Sequence, residues 1–148
     1  MRNEKKEFTH FKIHTQYSIC EGAIKIDDLA EFCKANKIKS IGLADSYNLC
    51  GALEFSEKIS KVGTHPIIGT QINLKAHNVI GKITLYAKTE EGYKNLTRLS
   101  SLSYLNTKGD ENPGCKFEDL TANHKDIILI VDMVNGKTRK TILTIYPR

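Results

Sequence analysis

The sequence predicts an α/β fold in which mostly parallel strands form a sheet or part of a distorted barrel. Two observations lead to this prediction. Short apolar runs typical of strands alternate along the chain with longer segments whose apolar residues recur at helical spacing. The resulting β-α-β-α-β order is typical of parallel sheets, because a helix commonly connects one parallel strand to the next. A chain of 148 residues is long enough for one domain with a hydrophobic core.

The first half of the chain contains three predicted strands and two predicted helices. Asp27 is the predicted N-cap of the first helix, which carries Leu29, Phe32 and Cys33 on its apolar face. The second helix covers residues 49–62, and Gly63 is its natural stop. The three predicted strands are residues 8–14, 38–44 and 66–74.

The second half of the chain predicts a strand, a helix, a loop and a final strand. Residues 82–87 form the fourth strand, and Thr89 can cap a helix that continues to about Leu105. Residues 106–116 hold two glycines and one proline, which is typical of a loop. Residues 126–131 are a strong strand, whereas residues 135–148 show only weak periodicity.

Composition excludes several classes of protein. The net charge of +5 and the pI of about 9.0 suit a protein that works near nucleic acid, but the lysines are scattered and form no binding stripe. The apolar runs are far too short to span a bilayer and the charged start precedes no signal-like stretch, so we expect a cytoplasmic protein without membrane association. The four cysteines form no CxxC pair, so we expect reduced, mostly buried thiols.

Polar residues follow two of the predicted strands and lie within a third, and parallel α/β folds collect their reactive groups at the carboxyl ends of strands. Among residues 14–18, 45–48 and 69–71, only His14 and Asp45 are good metal ligands, and a catalytic metal usually needs three. In the alternative interpretation, Asp45 caps a turn and His14 satisfies hydrogen bonds near the sheet end. The residues alone favour this alternative. Phosphate-binding, dinucleotide-binding and nucleophile-elbow motifs are absent from the sequence.

The same segments carry a family resemblance. Their order and spacing from Phe8 to about Asn135 resemble the opening of bacterial DNA polymerase III alpha subunits. That region is the polymerase and histidinol phosphatase (PHP) domain. The segments that carry the resemblance are residues 8–18, 21–26, 43–45, 48–55, 66–69, 85–88 and 91–96.

The resemblance implies a distorted barrel whose active members hold divalent metals that activate water for phosphoester hydrolysis. The His-x-His signature of the family reads Lys12-Ile13-His14 here, and the Asp-His signature reads Asp45-Ser46. The third signature places Gln71 where a Glu is usual. His14 and Asp45 are therefore vestigial ligand positions, and Lys12, Ser46 and Gln71 are lost ligands. We expect no bound metal, because the ammonium of Lys12 would repel cations and three ligands are lost. Without a metal, we expect no catalytic residue and no cofactor in this chain.

The resemblance also implies a domain assignment and a role. Residues 8–148 are expected to be about half of a PHP domain, preceded by an extension of residues 1–7, in a truncated piece of a longer chain. The full-length parent is expected to synthesise DNA with magnesium and to assemble with a proofreading exonuclease and other holoenzyme subunits. This chain alone is expected to be catalytically inactive, serving as structural support and as a docking module. Two alternatives stay open: an active metal-dependent phosphoesterase or 3′–5′ exonuclease, and a free-standing regulatory PHP protein.

Overall fold

The computed structural model describes residues 8–76, 79–109 and 112–131, in which five strands and four helices alternate. The predicted extension of residues 1–7 and the weakly periodic residues 135–148 lie outside the described residues. The helices are α1 (Ile26–Asn36), α2 (Ala52–Lys61), α3 (Glu90–Leu105) and α4 (Phe117–Ala122). The strands are β1 (Ser40–Ser46), β2 (His65–Ala76), β3 (Val79–Ala87), β4 (Gly114–Lys116) and β5 (Ile127–Val131).

The strands form one mixed sheet in the order β1-β2-β3-β5, and β4 also pairs with β2. The predicted α/β class is confirmed. The pairs β1–β2 and β2–β4 are parallel, but β2–β3 and β3–β5 are antiparallel, so the expectation of mostly parallel strands holds for two of the four pairings. The reason is the connection between β2 and β3, which is only two residues long. A connection of that length can join antiparallel strands only, whereas parallel strands need a crossover.

Two N-cap residues were predicted from the sequence, and one of the two is correct. Thr89 is the N-cap of α3, and its side chain accepts a hydrogen bond from the Gly92 N–H at 3.2 Å, as predicted. The N-cap of α1 is Lys25 rather than Asp27. Asp27 lies in the first turn of α1, where a carboxylate interacts favourably with the helix dipole.

The helices cover the sheet with two apolar clusters. The first cluster packs α1 and α2 against β1, and the second packs α3 and α4 against β2 and β3. Leu49 contacts both clusters. The core of the first includes Ile26, Leu29, Cys33, Ile41, Leu43, Phe55 and Ile59, and the core of the second includes Ile72, Leu74, Ile83, Leu85, Leu96, Leu99, Cys115 and Leu120.

The predicted first strand is an extended segment rather than a regular strand. Residues 10–13 run beside β1, with one isolated parallel bridge between Ile13 and Leu43. The Gly42 N–H donates to the His10 carbonyl at 2.8 Å, and the Ala44 N–H donates to the Ile13 carbonyl at 2.8 Å. A Cβ at Gly42 would collide with the backbone of Phe11, so glycine is what permits this close approach.

Three further predictions concern the segment of residues 106–116, the cysteines and membrane association. The segment predicted as a loop, residues 106–116, ends in the short strand β4 and leads into α4. Cys33 and Cys115 are buried and Cys20 and Cys50 are exposed, all as free thiols, so half of the cysteines are buried rather than most. No helix within the described part of the chain combines the length and apolarity needed to cross a membrane.

Candidate functional site

The predicted site residues come together at the carboxyl end of β1. In the parallel pairing of β1 with β2, Asp45 lies beside Thr70 and Ser46 lies beside Gln71. His14 directly follows the segment that bridges β1, and its Nδ1 lies 3.3 Å from the Ser18 hydroxyl. The structure therefore places residues from three separate segments at one end of the sheet.

The carboxylate of Asp45 is fully buried and is committed to protein hydrogen bonds. Its Oδ1 accepts from the Thr15 N–H at 2.6 Å and from the Ser18 hydroxyl at 2.7 Å, and its Oδ2 accepts from the Thr15 hydroxyl at 2.7 Å. Because neighbouring residues of a strand point to opposite faces, this carboxylate is directed away from the Ser46 side chain. Asp45 thus fixes the backbone of residues 15–18.

Ser46 instead contacts an acidic residue that the sequence analysis did not select. The Ser46 hydroxyl donates to Oε2 of Glu21, and the Lys82 ammonium lies 2.8 Å from Oε1 of the same carboxylate. The Lys82 ammonium, and next the Ser46 hydroxyl, hold the pKa of Glu21 below its usual range. One carboxylate thereby joins the end of β1 to β3.

An aromatic ring completes the surroundings of the Lys82 ammonium. Nζ lies 5.2 Å from the centroid of the Tyr47 ring, within the range of a cation–π interaction. Tyr47 follows β1 in a left-handed backbone conformation with φ of 63°, and its N–H donates to the Gln71 carbonyl at 2.7 Å. The end of the β1–β2 pair therefore holds the backbone of Tyr47.

Three predicted residues remain: His14 is partly buried, Gln71 is buried and Lys12 is exposed. Burial is the main cause that lowers the pKa of His14 below its ordinary 6.5; Glu21 opposes this shift, and Lys12 adds to it. Gln71 is 2% exposed, and its Nε2 donates to the Thr84 hydroxyl at 3.3 Å. Lys12 is exposed and acts on the imidazole through its charge.

Residues 14–22, which we call the site loop, also contact helix α2. The Tyr17 hydroxyl donates to Glu54 at 2.5 Å, and Glu54 in turn pairs with Lys58 at 2.8 Å. Gly22 lies so close to Thr15 that an added Cβ would collide with the Thr15 carbonyl oxygen. The loop thus contacts β1, β3 and α2.

The donor atoms of this site do not fit a divalent metal cluster. No group of three His, Cys, Asp or Glu side chains in residues 8–76, 79–109 and 112–131 could hold a metal ion. The Asp45 carboxylate is occupied by three hydrogen-bond donors, and the Glu21 carboxylate is paired with an ammonium. A divalent ion at either carboxylate would compete with these partners.

Sequence reasoning missed Glu21 and Lys82, although a signal was present for Lys82, and it placed Tyr47 in a candidate segment without giving it a role. In β3, Lys82, Thr84 and Tyr86 alternate with the apolar residues Ile83 and Leu85. This alternation marks a polar face of the strand and places Lys82 on it. Glu21 lies in an irregular segment, where no periodicity indicates the direction of a side chain.

Relatives that are similar in sequence carry the same name, DNA polymerase III subunit alpha. The chain is 38% identical over 140 residues to the DNA polymerase III subunit alpha of Rickettsia felis, covering 93% of this chain and 11% of that protein. It is 41% identical over 110 residues to the corresponding subunit of Helicobacter pylori, covering 69% of this chain and 9% of that protein. The chain thus spans about a tenth of the length of these curated relatives.

Two solved structures also align with the chain. One is a putative metal-dependent phosphoesterase from Bifidobacterium adolescentis, with 16% identity and a TM-score of 0.48 over 80% of this chain and 43% of that chain. The other is an amidohydrolase from Chromobacterium violaceum, with 14% identity and a TM-score of 0.48 over 62% of this chain and 32% of that chain.

The family comparison identifies the domain: the PHP domain family matches residues 10–145, which is most of the sequence. The chain therefore belongs to the PHP domain family.

Proposed function

We propose that this chain is the PHP region of a bacterial replicative DNA polymerase III alpha subunit, where it serves as a structural and docking module. Relatives that carry this name and match 93% of the chain support the parentage. The observation that carries the structural role is the state of the two carboxylates at the site. Asp45 accepts three hydrogen bonds, and Glu21 is paired with Lys82 and Ser46, so both carboxylates already have protein partners with which a metal would compete.

The contacts of the site support a role in stabilising the fold. The site loop links two strands, because it contacts Asp45 and Ser46 of β1 and Lys82 of β3. Hydrogen bonds that involve buried or charged groups stabilise a structure more than those at an open surface. The hydrogen bonds of Asp45 and the Glu21–Lys82 ion pair therefore link distant segments of the chain, as bound metal ions can do in other proteins.

The proposal extends to the full-length parent. We propose that the parent is a cytoplasmic, magnesium-dependent, DNA-directed DNA polymerase in which residues 8–148 are part of the PHP domain and residues 1–7 precede it. Its partners are proposed to be a separate proofreading exonuclease subunit, the other holoenzyme subunits and DNA. A domain that no longer removes mismatched ends gives a reason for a separate subunit to do so.

A hydrolysis assay tests the loss of chemistry. Purified chain is incubated with a chromogenic phosphate monoester and with DNA carrying a mismatched 3′ end, each with Mn²⁺ or Zn²⁺. We expect no turnover and substoichiometric metal after dialysis. The matched comparison is a triple variant of Lys12→His, Ser46→His and Gln71→Glu, which restores the ligand types of the family pattern.

One result would favour the phosphoesterase alternative instead. This is Mn²⁺-dependent digestion of the 3′ end by the wild-type chain that disappears in a His14→Ala variant. For the docking role, we expect the full-length parent to extend primers and to copurify with a separate exonuclease. A parent that proofreads with no second subunit would contradict this part of the proposal.

A further inference from the structure

The Lys82 ammonium lies where three separate elements meet at the end of the sheet. Its Nζ is 2.8 Å from the carboxylate of Glu21 in the site loop and 5.2 Å from the ring of Tyr47, which follows β1. Lys82 itself belongs to β3, and its Cα is paired with Asn73 of β2. A single positive charge therefore contacts both the site loop and the residue that follows β1.

The Glu21 carboxylate faces this charge with both of its oxygens engaged. Oε1 pairs with Lys82 and Oε2 accepts from the Ser46 hydroxyl. The side chains of Lys82 and Glu21 are 32% and 40% exposed, so water screens the pair only in part. A divalent cation approaching this carboxylate would meet a like charge at hydrogen-bond distance from its ligand atom, which disfavours binding.

We infer that Lys82 is a built-in cation that replaces a metal at this site, holding the site loop to the strand ends through Glu21. The inference rests on the proposed structural role of the site and goes further by naming the residue that provides the charge. Lys82 lies 61 positions from Glu21 in the sequence, so the pair connects the first half of the chain with the second. The same charge that stabilises the loop also keeps divalent ions away from Glu21.

The first test is a double-mutant cycle on the full chain. Lys82→Met, Glu21→Gln and the double variant are compared with wild type by urea unfolding. We expect Lys82→Met to lower the equilibrium constant for folding by about tenfold, since it removes a partly screened ion pair and a cation–π contact. The two substitutions should be coupled by about fivefold, because each removes the same interaction.

A matched control uses another ion pair of similar length. Lys61 and Glu57 lie 2.7 Å apart on α2, with side chains 69% and 60% exposed. Lys61→Met should change the folding equilibrium by only about twofold, as expected for an exposed pair one turn apart on a helix. If Lys82→Met fails to fold, Lys82→Arg keeps the inference testable, because it retains the charge and should fold like wild type. Failure of both variants to fold would overturn the role of the charge.

The second test asks whether the ammonium excludes divalent ions. Millimolar Mn²⁺ should raise the folding equilibrium constant of Lys82→Met by about twofold or more, leave wild type unchanged, and have no effect once Glu21→Gln is added. Equal stabilisation of wild type by Mn²⁺, no response of Lys82→Met, or no coupling between positions 82 and 21 would each overturn the inference. These outcomes are distinct from failure of the proposed function, which would appear as phosphoester hydrolysis by wild type. If the wild-type chain hydrolyses no phosphoester and positions 82 and 21 show no coupling, only the inferred role of Lys82 is refuted.

Discussion

Replacing Asp45 by alanine should lower the free energy of unfolding strongly. The loss should not depend on metal ions. The carboxylate is fully buried and accepts hydrogen bonds from the Thr15 N–H, the Thr15 hydroxyl and the Ser18 hydroxyl, at 2.6 to 2.7 Å. Alanine leaves all three donors without this acceptor. The backbone N–H cannot rotate to find another partner, whereas the hydroxyl groups can turn.

The expected magnitude follows from these contacts. A hydrogen bond to a charged group contributes about 1.5–3 kcal/mol, and an unsatisfied buried donor costs about 1–3 kcal/mol. The sum is reduced because the variant no longer has to bury a carboxylate. All three donors are neutral and only the Thr15 N–H cannot reorient, so we expect Asp45→Ala to cost about 2–4 kcal/mol. Asp45→Asn keeps the shape and one acceptor oxygen, so its cost should be about 1–2 kcal/mol.

Urea unfolding followed by circular dichroism measures both variants. Asp28→Ala is the control, because Asp28 is an exposed carboxylate in the first turn of α1 and should contribute about 0.3–1 kcal/mol through the helix dipole. A loss for Asp45→Ala no larger than that of the control would refute the reasoning. Chelator treatment of the wild type that reproduced the effect of Asp45→Ala would also refute it, since the carboxylate would then act through a metal.

Two further predictions concern titration and reactivity. Because burial lowers the pKa of His14 below 6.5, the unfolded chain binds a proton more readily there, and the stability that the neutral imidazole contributes should be lost as the pH falls below 6.5. The unfolding free energy of His14→Gln should therefore fall less steeply than that of wild type over this range, and an NMR titration midpoint for His14 at or above 6.5 would contradict the assignment. Iodoacetamide should alkylate the exposed Cys20 and Cys50 rapidly, but Cys33 and Cys115 only on unfolding, because burial raises the pKa of both buried thiols, that of Cys115 to about 12. Equal alkylation rates at Cys115 and Cys20 in the folded chain would count against the packing described above.

The sequence was sufficient for features that depend on nearby residues. Apolar residues at helical spacing predicted α1, α2 and α3, and the Thr89 cap was identified because a capping side chain bonds to a backbone group only three residues away. The ends of the first strands also predicted that His14, Asp45, Ser46 and Gln71 would share one end of the sheet. That expectation needs only the rule that parallel strands place their carboxyl ends together.

Only the tertiary structure decided how those residues are used. Asp45 was considered as a metal ligand or as a cap for the turn that follows it, but its hydrogen-bond donors lie about thirty positions earlier, at Thr15 and Ser18. The antiparallel return of β3 was also not evident, although it is what brings Lys82 to Glu21 across 61 positions. Periodicity reports which face of an element is apolar, but the partner of a polar side chain depends on strand direction and register. Those are set by packing between distant segments.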